Sequence, residues 1–217
     1  MSKAVLDLIH SDLMGKTHPQ SVGGGFYAIT FIDDFSRFAT VKILKSTDAA
    51  FDEFVKFKSL AENEQGRKLK ALQTDNGGEY FGQVFEHYLV KDGITHYKIV
   101  PRCSPQLGIG ERENRTLAEM GRCLLIQSVL PEKFWGEAIT TACYIRNLCP
   151  SRSIDNEIHI QRWKGGDLDV TDLVVRLRVF GCRVWVLLDD SCQSLVQRRL
   201  KGFLWCMSLM SKAIKSS

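Results

Sequence analysis

The first part of the chain alternates apolar and polar residues in the way that is typical of β-strands. Three such runs cover residues 4–13, 26–34 and 38–45, and Val, Ile and Phe recur in them. The four residues DFSR, Asp34 to Arg37, separate the second run from the third. These two runs are therefore predicted to form a β-hairpin.

From Thr47 onward the spacing of the apolar positions changes to the period of a helix. This pattern predicts a helix that Thr47 caps and Gly66 ends. Residues 69–75 then have the pattern of a fourth strand, residues 83–93 that of a second helix and residues 94–100 that of a fifth strand.

Two long helical patterns follow a loop rich in proline and glycine at residues 101–110. The first begins at Glu111, and the second runs from Pro131 to Leu148. The resulting order is β-β-β-α-β-α-β-α-α. It predicts an α/β fold in which a five-stranded mixed sheet is flanked by helices.

The chain is predicted to divide at residue 150 into a core domain, 1–150, and a basic C-terminal extension, 151–217. The formal net charge is +4, and the extension holds 11 Lys and Arg against 7 Asp and Glu, whereas the core holds 18 of each. Such an extension fits phosphate contacts and equally fits an ordinary solvated surface. Residues 176–189 resemble a strand pair, and the last 20 residues show no assignable pattern.

Composition argues against several classes of protein. No apolar run reaches the roughly 18 residues that a membrane helix needs, and the N-terminal residues do not resemble a signal peptide. The seven cysteines contain no C-x-x-C pair, so neither a disulfide framework nor a zinc ribbon is indicated. His10 and His18 are interpreted as core or solvated side chains. We expect an intracellular protein with no membrane partner.

Three acidic residues lie where the predicted elements could bring them together. Asp12 is near the end of the first strand, Asp75 ends the fourth, and Glu111 opens the first long helix. If the first and fourth strands are neighbours, these carboxylates repel one another unless a cation intervenes. Their oxygens suit Mg²⁺ or Mn²⁺, and two such ions can bind the attacking and leaving oxygens of a phosphodiester.

Each acid also has a purely structural interpretation. Asp12 could cap a turn or a helix, and residues 75–78, DNGG, have ordinary turn chemistry. Glu111 could simply face the positive end of its own helix dipole. Asp33 and Asp34 are interpreted as hairpin-turn residues and not as metal ligands.

The spacing of the acids and the segments around them resemble a known family. Asp75 and Glu111 are separated by 35 residues, which is similar to the D,D-35-E arrangement of the retroviral integrase superfamily. Residues 5–185 resemble the integrase catalytic core of copia-type LTR retrotransposons. The resemblance rests on the segments HSDL, FIDDFSR, TDNGGEY, ERENRTL, FWGEAITTACYIRN and LRVFGC, in this order.

This resemblance implies a ribonuclease H-like fold and DNA integration, in which a DNA 3′-hydroxyl attacks a target phosphodiester. It also implies that Asp12, Asp75 and Glu111 are catalytic and bind two Mg²⁺ or Mn²⁺ ions. The implied partners are the DNA ends of the element, target DNA in the nucleus and further copies of the chain in a homo-oligomer. A small-molecule substrate is not expected.

Four further residues are expected to contact nucleic acid. Asn76 and Gly77 would form the surface of the site beside Asp75. Arg115 and Arg122 lie four and eleven positions after the third acid and share its helix face, where they could bind phosphate or form surface ion pairs. The same face carries Asn114 and Ala118.

The loop before Glu111 departs from the family pattern. The family has Pro-Gln-x-Asn-Gly, whereas residues 105–108 here are PQLG, with one compensating residue upstream. We expect a fragment of a polyprotein, without the family's N-terminal zinc-binding segment and with a partly truncated or degenerate extension. Three hypotheses follow: an active polynucleotidyl transferase, a catalytically inactive or domesticated nucleic-acid-binding remnant, and a pure interaction protein.

Overall fold

The computed structural model describes residues 2–74, 82–98, 108–166, 168–187 and 199–203. In this part of the chain a central sheet contains the strands β1 (Ile9–Met14), β2 (Tyr27–Asp33), β3 (Ala39–Leu44), β4 (Ala71–Thr74) and β5 (Thr95–Lys98). Their order across the sheet is β3-β2-β1-β4-β5. The predicted five-stranded mixed sheet is confirmed.

Strand β1 joins the antiparallel and parallel halves of this sheet. On one side it pairs antiparallel with β2, where Asp12 is opposite Thr30, and β2 pairs antiparallel with β3. On the other side it pairs parallel with β4, where Ser11 is opposite Thr74, and β4 pairs parallel with β5. The carboxyl ends of β1 and β4 therefore lie at the same edge of the sheet.

Helices cover both faces of the sheet. They are α1 (Ala50–Gln65), α2 (Gln83–Lys91), α3 (Gly108–Ser128) and α4 (Trp135–Asn147). Alternate residues of β2 define the two layers, because side chains alternate between the faces of a strand. Ile29 and Phe31 belong to a core cluster with α1 and α2, whereas Ala28 and Ile32 belong to a second cluster with α3 and α4. Among the described residues, every helix is too short or too polar to cross a bilayer.

Two predicted helix starts differ from the structure. Residues Thr47–Ala49 form a 3₁₀ turn, so α1 begins at Ala50 and Thr47 is not its cap. Its predicted end is confirmed, because Gly66 adopts a φ of 62°, a left-handed conformation that favours glycine. Helix α3 begins at Gly108, three residues before the predicted start, and brings Ile109 against the second core cluster.

The predicted strand pair within residues 176–189 is wrong. The strand in this range is β8 (Arg183–Leu187), and it pairs antiparallel with a later strand, β9 (Arg199–Phe203). Gly181 has a φ of 75°, and a Cβ atom there would lie 2.5 Å from the Ser128 Cβ at the end of α3. The chain therefore turns against α3 just before β8.

The segment after residue 150 contributes to the first core cluster. It forms the short strands β6 (Pro150–Ser151) and β7 (Glu157–Ile158) and the short helices α5 (His159–Lys164) and α6 (Thr171–Val175). From α5 the Trp163 ring stacks on Phe38 with ring centroids 5.0 Å apart. The predicted domains, 1–150 and 151–217, stay a prediction, and Trp163 is a core residue beyond their boundary.

Candidate active site

Asp12 is the fourth of the six residues of β1, the strand that pairs antiparallel on one side and parallel on the other. It is partly buried, and it follows Ser11, whose partner in β4 is Thr74. The residue after Thr74 in the sequence is Asp75. The predicted site residues that lie outside the described part of the chain are Asp75, Asn76 and Gly77.

The start of α3 packs directly against Asp12. A Cβ atom added to Gly110 would lie 3.1 Å from the Asp12 Cβ, which is closer than side chains normally pack, and 3.5 Å from the Asp12 Oδ2 atom, which is ordinary contact. Glu111 is the next residue, and its side chain is exposed in the first turn of the helix. The structure therefore brings Asp12 to the helix turn that carries Glu111.

A second residue of α3, Asn114, orients the Asp12 carboxylate. Asn114 Nδ2 donates a hydrogen bond of 2.9 Å to Asp12 Oδ2. The Thr30 hydroxyl donates to Asn114 Oδ1 over 2.9 Å and also lies 3.2 Å from the Asp12 carbonyl oxygen. Because the amide oxygen accepts from Thr30, the amide nitrogen has to face Asp12. Both Asn114 and Thr30 are buried, so the bond between them is shielded from water, whereas the contacts to Asp12 are partly buried.

Sequence reasoning does not assign roles to Asn114 and Thr30, although a signal exists for each. Asn114 is placed on the Glu111 face by its spacing, but it also lies three positions before the buried Leu117. Thr30 is a hydroxyl residue in an otherwise apolar run. Buried polar groups almost always have hydrogen-bond partners, so a polar residue in such a position indicates a specific contact.

The two predicted phosphate-binding arginines are exposed on α3. Arg115 and Arg122 lie about one and three helical turns after Glu111. Their guanidinium groups are therefore open to solvent on the side of the helix that carries the third acid. The predicted core role of Leu117 is confirmed by its complete burial, and Leu124 packs more loosely against the second core cluster.

The paired acids after β2 support the turn to β3. Asp33 accepts hydrogen bonds of 2.7 Å from both the amide and the hydroxyl of Ser36, and burial raises its pKa. Asp34 accepts from His10 Nε2 over 3.1 Å and pairs with Arg37 at 3.2 Å. Burial raises the pKa of Asp34, but the hydrogen bonds and the Arg37 charge outweigh burial and lower it. These are structural roles, as predicted.

The donor set predicted for the site consists of carboxylate oxygens. The described residues contain no group of three His, Cys, Asp or Glu side chains close enough to hold a metal ion. Two predicted ligands, Asp12 and Glu111, are described, and the third, Asp75, follows β4 outside that part of the chain. Hard oxygen donors of this kind are the ligands that Mg²⁺ and Mn²⁺ prefer.

Sequence comparison shows what the chain is related to, although no protein-family model matches it. It is 45% identical over 181 residues to the retrovirus-related Pol polyprotein from transposon TNT 1-94 of Nicotiana tabacum, an alignment covering 83% of this chain and 13% of that polyprotein. The chain is a homologue of copia-type retrotransposon Pol polyproteins. A second copia-type relative, from transposon RE2 of Arabidopsis thaliana, is 32% identical over 181 residues, covering 83% of this chain and 12% of the relative. The chain thus spans 12–13% of the length of these two polyproteins.

Solved structures show the same fold as this copia-type homologue. The HTLV-2 integrase catalytic core domain in complex with magnesium, in its trimeric form, has a TM-score of 0.55 at 20% identity and covers 75% of this chain and 99% of its own. The simian T-cell lymphotropic virus intasome in complex with PP2A regulatory subunit B56 gamma has a TM-score of 0.58 at 19% identity, covering 93% and 69%. The predicted ribonuclease H-like fold of integrase catalytic cores is confirmed.

Proposed function

We propose that this chain is an integrase catalytic core that joins DNA by metal-dependent polynucleotidyl transfer. In the reaction, a DNA 3′-hydroxyl attacks a target phosphodiester, a new P–O bond forms, and the former 3′ oxygen of the target strand leaves. The similarity to copia-type polyproteins and to integrase catalytic cores supports an integrase-type role. The proposed catalytic residues are Asp12, Asp75 and Glu111.

The close approach of α3 to β1 is the observation that carries this proposal. Gly110 has no side chain, so the first turn of α3 can lie against Asp12 and present Glu111 beside it. If Glu111 only interacted favourably with the dipole of its own helix, the first turn of α3 would not need to contact Asp12. The hydrogen bond from Asn114 likewise orients the Asp12 carboxylate. An acid with no role beyond the strand itself would need only water as its partner.

The residues present fit a divalent-metal site. Asp12, Asp75 and Glu111 would hold two Mg²⁺ or Mn²⁺ ions, and the number of ions is part of the proposal. When bound, such ions activate the attacking hydroxyl and stabilise the leaving oxygen. Asn114 and the α3 turn position the carboxylates in advance, which reduces the reorganisation that the reaction requires. A neighbouring integrase core of the same fold was solved in complex with magnesium.

The remaining site residues are proposed to bind DNA. Arg115 and Arg122 would contact phosphates of the element's ends or of target DNA from the exposed side of α3. Asn76 and Gly77 would leave room for the strand beside the second acid. Solved integrase neighbours include dimeric and trimeric forms and an intasome, and we propose that this chain also acts as a homo-oligomer, on chromosomal DNA in the nucleus.

A DNA-joining assay with and without metal tests the proposed function. Purified protein incubated with a labelled duplex and Mn²⁺ is expected to yield nicked and strand-transfer products, and EDTA is expected to abolish them. An Asp75→Asn protein that folds normally serves as the control and should be inactive. Product that persists in EDTA or in the control would refute the metal-dependent mechanism.

The alternative function is a catalytically inactive or domesticated nucleic-acid-binding remnant. The observation that favours it is the altered PQLG sequence at residues 105–108, just before the third acid. A displacement of about 1 Å near the reacting atoms can cost roughly 100-fold in rate. A folded protein that binds DNA but yields no product with Mn²⁺ would establish this alternative.

Replacing Asn114 by Ala is expected to lower the DNA-joining rate by about 10–100-fold, as is typical when the partner of a metal ligand is lost. The reason is that Asp12 Oδ2 loses the amide that orients it. Rates are measured at saturating Mn²⁺ and compared with unfolding in urea. An exposed α3 substitution, Glu119→Ala, is the matched control and should leave the rate unchanged. An unchanged rate in Asn114→Ala would show that Asp12 needs no such support.

A further inference from the structure

A polar cavity lies beside α3, on a different side of the helix from Glu111. It has a volume of about 510 Å³ and lies between α3, the turn after β2, the end of α4 and the segment after β6. Its polar lining residues are Arg37, Arg112, Glu113, Thr116, Arg146, Ser151 and Ser153. Arg112 directly follows Glu111, but consecutive residues point about 100° apart around a helix, so the cavity is distinct from the proposed metal site.

Arg37 is held at this cavity by an unusual backbone conformation. Its φ is 58°, in the left-handed region that non-glycine residues rarely adopt. The side chain pairs with Asp34 at 3.2 Å, yet its Nε atom is buried and finds no hydrogen-bond acceptor among the described residues. A buried guanidinium nitrogen without an acceptor costs free energy. The described residues therefore leave this donor of a cavity-lining arginine unsatisfied.

The other two arginines increase the positive charge around the cavity. Arg146 forms an ion pair with the buried Glu113 and donates a hydrogen bond of 3.0 Å to the Arg37 carbonyl oxygen. The Arg112 side chain is exposed, and its Nε donates to the Gly108 carbonyl oxygen. With Glu113 and Asp34 both ionised, the three guanidinium groups and these two carboxylates together have a net charge of +1.

Two neighbouring features agree with a positive potential here. Burial and the charges of Arg146 and Arg37 lower the pKa of the buried His159 to about 4. The hydroxyls of Ser151 and Ser153, which form a hydrogen bond of 2.9 Å to each other, also line the cavity and add neutral polar groups. A cavity lined by guanidinium groups and hydroxyls has the chemistry of an oxyanion site.

We propose that this cavity binds a phosphate group, either free or in the backbone of a nucleic acid. Guanidinium groups present several N–H donors in a fixed plane, which matches the oxygens of a phosphate better than a single ammonium does. A tetrahedral anion can accept from several directions at once, as the arrangement of three arginines around one cavity requires. The proposal goes beyond the proposed catalytic function, since it involves neither a metal ion nor the three acids.

The first test measures the binding of inorganic phosphate and pyrophosphate by calorimetry, in EDTA and at constant ionic strength. Two variants each remove one guanidinium group from the cavity: Arg112→Gln, and the double variant Glu113→Gln with Arg146→Gln. The double variant leaves the net charge unchanged and avoids an unpaired buried carboxylate. Each is expected to weaken phosphate binding roughly tenfold or more, given the usual strength of charged hydrogen bonds. Circular dichroism checks that each variant is folded.

The matched control is Arg152→Gln, which removes the same charge from an exposed residue between Ser151 and Ser153 that does not line the cavity. It should bind phosphate like the wild type. No phosphate binding by the wild type, or an equal loss in the control, would overturn the proposal. Because EDTA is present throughout, an inactive enzyme can still pass this test, so its result does not depend on the proposed function.

A second test distinguishes the two sources of the phosphate. Duplex DNA binding is measured in EDTA over a range of salt concentrations. If the cavity holds a backbone phosphate, Arg112→Gln should weaken DNA binding and reduce the slope of log affinity against log salt by about one. Unchanged DNA affinity together with lost phosphate binding would assign the site to a free phosphate compound. DNA and phosphate binding that are both unchanged would overturn the proposal.

Discussion

The Asp12→Asn protein is expected to lose metal binding and DNA joining while it remains folded. The substitution keeps the shape of the side chain and an oxygen for Asn114 Nδ2, but it removes the negative charge. Partners behind a metal ligand typically contribute 10–100-fold, so loss of a ligand's charge should cost at least about 100-fold in Mn²⁺ affinity and in rate. Calorimetric Mn²⁺ titration and the DNA-joining assay measure these changes. Urea unfolding should show a free-energy change below about 1 kcal/mol.

Asp33→Asn is the matched control for this experiment. Asp33 is a buried acid of β2, but its carboxylate accepts hydrogen bonds from Ser36 and from the Leu6 amide. An amide cannot accept at both positions, so this variant should lose about 1–3 kcal/mol of stability and keep its Mn²⁺ affinity. If Asp12→Asn instead behaved like Asp33→Asn, Asp12 would be a structural residue and the proposed site would be wrong.

The Trp163→Ala protein is expected to be less stable by about 3–5 kcal/mol, the usual cost of truncating a buried large aromatic residue. Trp163 is only 2% exposed, and its ring stacks on Phe38. Its indole Nε1 donates a hydrogen bond of 3.1 Å to Glu64 Oε2 at the end of α1. The substitution therefore removes a core contact and leaves a cavity. Urea unfolding monitored by far-ultraviolet circular dichroism measures the loss.

Val175→Ala is the control for Trp163, because it also follows residue 150 but is 67% exposed. Surface substitutions of this kind usually change stability by less than about 0.5 kcal/mol. A similarly small effect for Trp163→Ala would mean that α5 does not support the core. The predicted domain boundary at residue 150 would then be the appropriate place to divide the chain.

Much of the fold could be predicted because its signals are local. In residues 26–34 the alternation of side chains between the two faces of a strand indicates which of them face each layer of helices. Gly66 indicates the end of α1, because glycine readily adopts the left-handed φ found there. Helix starts were less predictable. Helix α3 begins before Glu111 because Ile109 packs on the second core cluster, and that contact involves residues distant in the sequence.

The candidate site was predictable only in part for the same reason. Asp12 and Glu111 lie at the ends of periodic segments, and the spacing between Asp75 and Glu111 identified the family. The role of Asn114 could not be predicted, since its partners Asp12 and Thr30 lie 102 and 84 positions away. Helical spacing predicts which residues lie on the same face of a helix, but it does not predict which other segment that face packs against.

The sequence by itself determined the order of strands and helices, the relation to copia-type polyproteins and the acids proposed for catalysis. Only the tertiary structure decided that Gly110 lies against Asp12, that Trp163 completes the core and that three arginines surround one cavity. The physical reason is that periodicity and turn chemistry act over a few neighbouring residues. Contacts between distant segments depend instead on how whole helices and strands pack.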